Sequence, residues 1–324
     1  MATESRVGRP QNRTQFQDKF LQQLNRLGIL DFFGQQLKNR LSGMVKLSTT
    51  PEFEERTAAL IKEGHVPIVA SAHFTHLDPG PYSHLTQQMI EQARLVGYAD
   101  NLHRFVAPIA LSVPLGRQGI FLERMYRPIR EYSAERGLEL KSVTRAADEQ
   151  RYDGMKRTKS ELGNFLEELE AGGTGVLVLM GGSVQPGRHK GAGRDNIFGL
   201  QRIKDGHLAA TIRVMLAKGR GAGREAFVIP AGIDGVWRGL NSDKLRPTKR
   251  GVASLFIPIF RPLFGTYMHV RADNPITMED LASNLGKEWR RNPDTVNDFV
   301  MTRVALLVPP YARGDYSDLA QSAA

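Results

Sequence analysis

Four short apolar runs, Val66–Ala70, Arg104–Ile109, Val176–Met180 and Phe227–Ile233, stand apart from one another along the chain. Between them lie longer stretches with helical spacing, and this alternation is what most restricts the fold. It predicts a strand to Ser71, a helix from Pro79 to about Gly97, a strand over Arg104–Ile109 and another at Gly119–Glu123. A helix from about Lys156 to Ala171 then precedes the Val176 strand, and a helix from about Leu200 to Ala217 precedes the Phe227 strand. Residues 125–155 are charged and irregular, compatible with a helix plus a loop. Strand–helix alternation of this kind implies an α/β fold, a mixed or mostly parallel sheet flanked by helices. Upstream, Phe16, Phe20, Leu24 and Leu27 fall at helical spacing, and Phe32, Phe33, Leu37 and Leu41 continue an amphipathic pattern. They predict a helical hairpin broken near Gly28, and Thr50-Pro51-x-Phe53-Glu54 then starts a helix that stops near Gly64. The organisation expected is an N-terminal helical segment over 1–60 and an α/β domain over 61–324, with its core at 65–240.

Composition bounds the chemistry. A 324-residue chain with 41% hydrophobic residues can build one sizeable core. With no cysteine, disulfides, thiolate metal sites and cysteine nucleophiles are all excluded. Residues 1–17 carry no apolar signal core, and no run approaches the ~18 apolar residues of a membrane span, so a soluble or peripheral cytoplasmic protein is expected. The net charge of +10 calls for an anionic partner, whether nucleic acid, an anionic membrane surface or a phosphorylated substrate. The basic clusters at Arg117–Arg130, Arg188–Arg194 and Lys244–Arg250 come without RNA-binding aromatic signature, zinc-finger spacing or helix-turn-helix, so nucleic acid is not the expected partner. Leu255–Phe264 is strongly apolar, but its two prolines forbid a regular helix. It reads as a buried connector, with contact to a bilayer surface or an acyl-chain groove as the alternatives.

Chemistry concentrates in Ser71-Ala72-His73-Phe74-Thr75-His76-Leu77-Asp78-Pro79. On a continuous helix, five residues turn the chain by about 500° and leave His73 and Asp78 roughly 140° apart, so a helix cannot join them. Pro79 disfavours the αR region for Asp78 and suits a first helical position, which makes Asp78 read as an N-cap. His73 would then lie in a strand-to-helix loop able to fold its imidazole back onto Asp78. A carboxylate on one ring nitrogen fixes the tautomer and leaves the other as a base. The plainer reading is a loop histidine beside a helix cap. His73, His76 and Asp78 together could also serve a metal-dependent hydrolase, although the spacing misses His-x-His-x-Asp-His and no later His/Glu pair completes the set. The block Gly181-Gly182-Ser183-Val184-Gln185-Pro186-Gly187-Arg188 lacks the Lys and Ser/Thr of a P-loop and the second glycine of a nucleophile elbow. Ser183 therefore reads as a loop residue, not a nucleophile.

His73-x4-Asp78-Pro79 resembles the first motif of the glycerolipid acyltransferase superfamily. Gly119-Ile120-Phe121-Leu122-Glu123-Arg124 is similar to its second, in which the closing Arg contacts acceptor phosphate. The glycine block from Gly181 stands where most members carry Pro-Glu-Gly-Thr-Arg, without that Glu and adjacent Arg, and soluble plastid members also replace the Glu and keep a Gly-Gly pair. Phe227-Val228-Ile229-Pro230-Ala231-Gly232-Ile233 is similar to the fourth, an apolar strand with a central proline. The resemblance spans about residues 60 to 240, with four blocks in order. It implies acyl transfer from an acyl-coenzyme A or acyl-carrier-protein donor to an acceptor hydroxyl of phosphorylated glycerol type, with His73 as base oriented by Asp78 and no acyl-enzyme. Gly119 and Arg124 would bind the acceptor, and backbone N–H groups of Gly181, Gly182 and Ser183, with Arg188, would hold phosphate or oxyanion. No cofactor or metal is implied. A catalytically silent basic binding protein of the same fold is the remaining alternative.

Overall fold

The computed structural model describes residues 28–74, 78–110, 119–143, 172–180, 200, 225–235, 267–286, 289 and 293–323. The sequence-predicted features at Phe16–Leu27, 156–171, 201–217 and 255–264 lie outside them. The described strands are β1 (Val45–Thr49), β2 (Val66–Ala72), β3 (Arg104–Ala110), β4 (Leu138–Val143), β5 (Thr174–Met180), β6 (Ala226–Asp234) and β7 (Met268–Ala272). They form one seven-stranded sheet in the order β1-β7-β6-β2-β5-β3-β4. Every neighbouring pair is parallel except β6 with β7, so β1 and β7 run against the other five. The fold is thus α/β with a mostly parallel mixed sheet, as the alternation predicts.

β2 lies inside the sheet between β5 and β6, and Pro67 to Ala72 are all buried. A strand covered on both faces has no polar side to alternate, which is why it reads as an uninterrupted apolar run. Pro230 is tolerated in the interior of β6 for a specific reason. β6 pairs with β7 at Ala231↔Ala272, and the next contact backward is the bridge Val228↔Ile276. Two residues separate these contacts on β6 and three on the other segment, a bulge in which a missing N–H breaks no ladder bond.

The described helices are α1 (Ile29–Met44), α2 (Phe53–Lys62), α3 (Pro79–Leu95), α4 (Gly119–Ala134), α5 (Met278–Leu285), α6 (Pro293–Leu307) and α7 (Ser317–Ala323). α1 and α3 pack on α4, α2 packs on α3, and α6 lies on β6 and β2. α6 can come this close because residue 232 is glycine: a Cβ there would sit 2.7 Å from the Leu307 Cβ. Among the described residues, no helix is long and apolar enough to cross a membrane.

Three expectations are corrected. Gly119–Glu123 opens helix α4 and is not a strand. Its first residues are apolar and β-favouring, but Leu122, Met125, Ile129 and Tyr132 continue at helical intervals, and Ile129 and Tyr132 enter the core. Val45–Thr49, inside the segment read as helical, is a strand whose partner β7 lies far along the chain. Asp78 is in the αR region, φ −53° and ψ −35°, despite the proline that follows. The bias against αR before proline is a steric preference of modest size. The hydrogen bonds of the Asp78 carboxylate, described next, override it.

Candidate active site

β2 ends at Ala72 and α3 begins at Pro79, so the chain between them must turn from a strand into a helix. His73 is the first residue of that connection. Its Nδ1 lies 3.1 Å from Asp78 Oδ2, and the Phe74 N–H donates to the same oxygen at 2.5 Å. The Asp78 side chain is fully buried, whereas His73 keeps 14% of its side chain exposed. A buried carboxylate left without donors would be costly, and here two N–H groups converge on one oxygen. An ionised carboxylate only accepts, so Nδ1 carries the proton and donates it to Asp78, while Nε2 keeps its lone pair. The imidazole is thereby held in one orientation on the rim of a buried cluster, with Nε2 turned away from Asp78.

The prolines around Asp78 explain why its carboxylate turns to the loop and not to its own helix. A helix start leaves four N–H groups without intrahelical acceptors, and an Asp at the N-cap ordinarily serves one of them. Here Pro79 and Pro81 remove two of those donors outright, and Asp78 makes no capping bond. Gly80, between them, keeps the first turn thin: a Cβ there would lie 3.3 Å from Leu41 Cδ1 of α1 and 3.7 Å from Ile129 Cγ2 of α4. The helix start is therefore wedged between two other helices. Ser83 and Thr86, also buried, return their hydroxyls to the Gly80 and Ser83 carbonyls.

Tyr82, one turn beyond Asp78, was not foreseen as part of this cluster. Its side chain is fully buried and its hydroxyl donates to the Ala72 carbonyl at 2.9 Å. Burial raises its pKa well above the usual tyrosine value, with the Asp78 charge adding in the same direction and the nearby Ser71 hydroxyl opposing. The sequence signal was available: Tyr82 is four residues after Asp78 and shares its helical face.

Of the other predicted site residues, Gly119 opens α4 and Arg124 lies in its second turn. Pro128, four residues on, withholds the N–H that the Arg124 carbonyl would accept in a regular helix. α4 packs on both α3 and α1, so the second block shares a helical layer with the Asp78 turn. Gly181, Gly182, Ser183 and Arg188 lie outside the described residues, as does His76. β5 ends at Met180, which pairs with Ala72, so β2 and β5 finish side by side at the edge where His73 emerges. Among the described residues there is no group of three His, Cys, Asp or Glu able to hold a metal ion.

Two further imidazoles pair with hydroxyls. His84 Nε2 lies 2.6 Å from the Tyr132 hydroxyl, joining α3 to α4, and burial, then the Arg136 charge, lowers its pKa to about 4. On β7, His269 Nε2 lies 2.7 Å from Ser48 Oγ. That pair is not an activated nucleophile, because the Arg271 guanidinium, a donor only, faces His269 Nδ1 at 3.4 Å. Nδ1 must then hold the lone pair, so Nε2 carries the proton and donates it to Ser48.

No family model matches the chain, and no curated protein matches it. The functional reading therefore rests on the residues themselves.

Proposed function

We propose that this protein is an acyltransferase that moves an acyl group from a thioester donor to an acceptor hydroxyl, with His73 as general base and Asp78 as its orienting carboxylate. The observation that carries the reading is the buried Asp78 carboxylate bonded to His73 Nδ1 at the end of the central strand β2. In the proposed step, Nε2 takes the acceptor hydroxyl proton as the oxygen attacks the thioester carbonyl. The tetrahedral intermediate collapses with cleavage of the carbon–sulfur bond, and the leaving thiolate takes the Nε2 proton from the imidazolium, which returns His73 to its neutral form. Nδ1–H stays on Asp78 throughout, and no covalent enzyme intermediate forms.

The order of the four sequence blocks supports the same class. Arg124 is assigned to an anionic acceptor of glycerol-phosphate type as a bidentate fork, with Gly119 beside it. Backbone N–H groups of Gly181, Gly182 and Ser183, with Arg188, are assigned to donor phosphates or the oxyanion. The donor is acyl-coenzyme A or an acyl carrier protein, no metal takes part, and the protein works in the cytoplasm or at an anionic membrane surface.

The test is thiol release from acyl-coenzyme A and from acyl carrier protein across a panel of phosphorylated and plain hydroxyl acceptors. Acceptor-dependent release that His73→Ala abolishes, in a variant with unchanged circular dichroism, is the expected result. Substantial turnover by His73→Ala would overturn the base assignment. Activity lost to a chelator and restored by zinc or manganese would favour a metal-dependent hydrolase instead.

A further inference from the structure

The hydroxyl of Tyr82 meets the chain one residue before the proposed base. Ala72, whose carbonyl accepts it at 2.9 Å, is joined directly to His73. Ser71, the residue before that, places its hydroxyl against the same phenol, and the Ser71 hydroxyl also reaches the Val178 carbonyl of β5 at 3.3 Å. On the helix side, the Tyr82 N–H donates to the Asp78 carbonyl at 3.1 Å, so the residue is tied through its backbone to the carboxylate's own residue. Ser71, Ala72, Asp78 and Tyr82 are all buried.

We infer that Tyr82 is a positioning residue: its hydroxyl is a strut across the strand-to-helix turn that fixes the distance and angle between His73 and Asp78. The turn has two ends, Ala72–His73 on β2 and Asp78–Pro79 on α3. The His73–Asp78 bond and the Phe74 N–H bond span the opening between them, and both meet at one atom, Asp78 Oδ2. Bonds that share one atom leave the two ends free to pivot about it. Tyr82 adds a tie away from that oxygen, from α3 to the peptide preceding His73, and this removes the pivot. The phenol cannot be replaced by an apolar ring without cost to this geometry, because phenylalanine fills the same space and donates nothing. The Ala72 carbonyl then loses that donor inside the core, and the peptide carrying His73 is free to rotate towards another partner. Small errors of this kind in the placement of a base cost rate out of proportion to their size.

The rate consequence rests on the acyltransferase reading, and the geometric one does not, so the test reads both. Nitrogen-15 spectra of the full-length protein, with the His73 signal assigned by its loss in His73→Gln, report which ring nitrogen holds the proton. In the wild type the Nδ1–H form should dominate. Tyr82→Phe should shift His73 towards the Nε2–H form while melting within a few degrees of wild type, and should lower kcat about tenfold with KM unchanged. Ser71→Ala, which leaves the phenol in place, should move the tautomer in the same direction by less, and it supplies the reading if Tyr82→Phe fails to fold. An unaltered His73 tautomer in a folded variant would overturn the inference, whatever happened to melting. A shifted tautomer in a protein whose wild type transfers no acyl group would uphold the strut and sink the proposed function.

Discussion

Asp78 bonds His73 and Phe74 across the turn and makes no side-chain cap to its own helix start. An N-cap aspartate and a histidine-orienting aspartate have the same sequence signature, and the choice is made by which donors the turn presents. Pro79 and Pro81 take donors away from the helix side, while Phe74 N–H and His73 Nδ1 supply them from the loop side. This assignment makes Asp78→Asn informative, since the amide keeps the shape and loses the charge. Its oxygen, in the place of Oδ2, still accepts from the Phe74 N–H and from Nδ1, so the tautomer is kept. What is lost is the negative charge that stabilises the imidazolium as it forms. The variant should fold and bind acceptor with an ordinary KM, while kcat for acyl transfer falls about 10²–10⁴-fold. Steady-state kinetics of thiol release measure this, and an undiminished kcat would remove Asp78 from the mechanism.

Among the elements, strands buried on both faces announced themselves, and elements at the margins did not. β2, β5 and β6 are apolar runs because both of their faces are buried, and Phe105, Val106 and Ala107 of β3 are buried likewise. β1 alternates half-buried and exposed residues over Val45–Thr49, and a run that short between two helices carries little periodic signal. β4 was hidden for a related reason, since Glu139 and Lys141 break its apolar pattern at the far edge. α4 was misread at its start because Ile120, Phe121 and Leu122 favour a strand locally, whereas packing against α1 and α3 decides for the helix. The α3–α4 contact also carries a titratable group. His84 Nε2 and the Tyr132 hydroxyl share a hydrogen bond, and Arg136 stacks its guanidinium 3.5 Å from the Tyr132 ring centre. With a folded pKa lowered to about 4 from 6.5, His84 resists protonation while the unfolded chain does not. Stability contributed by this contact is therefore intact above pH 6.5 and declines as pH falls from there to about 4. The loss should reach about 1–2 kcal/mol, discounted for the partial exposure of the ring. Urea unfolding across that range should show it, and His84→Gln should flatten the acid limb. An equally steep limb in the variant would assign the acid sensitivity elsewhere.

At the scale of the whole molecule, a mixed or mostly parallel sheet was legible and the place of its antiparallel pair was not, because β7 is five residues long and alternates buried with half-buried positions, too short a run to announce a strand. Charge is the other global property, and it bears on how the proposed site would meet its substrate. Exposed pairs such as Lys38 with Glu135 and Arg104 with Glu139 satisfy local charges without altering the net +10. That excess acts at a distance, over a Debye length of about 8 Å at physiological salt and about 30 Å at 0.01 M. A lipid surface containing anionic headgroups would concentrate such a chain beside anionic acceptors, whereas a neutral surface would not. The full-length protein should therefore sediment with phosphatidylcholine vesicles containing roughly a third phosphatidylglycerol at ~0.01 M salt, and separate from them at ~0.5 M, while vesicles of phosphatidylcholine alone retain none. Binding that persisted at high salt would point to apolar insertion in place of charge. Failure to bind the anionic vesicles at low salt would leave the acceptor to be met in solution, where the phosphate contact assigned to Arg124 must supply the attraction unaided.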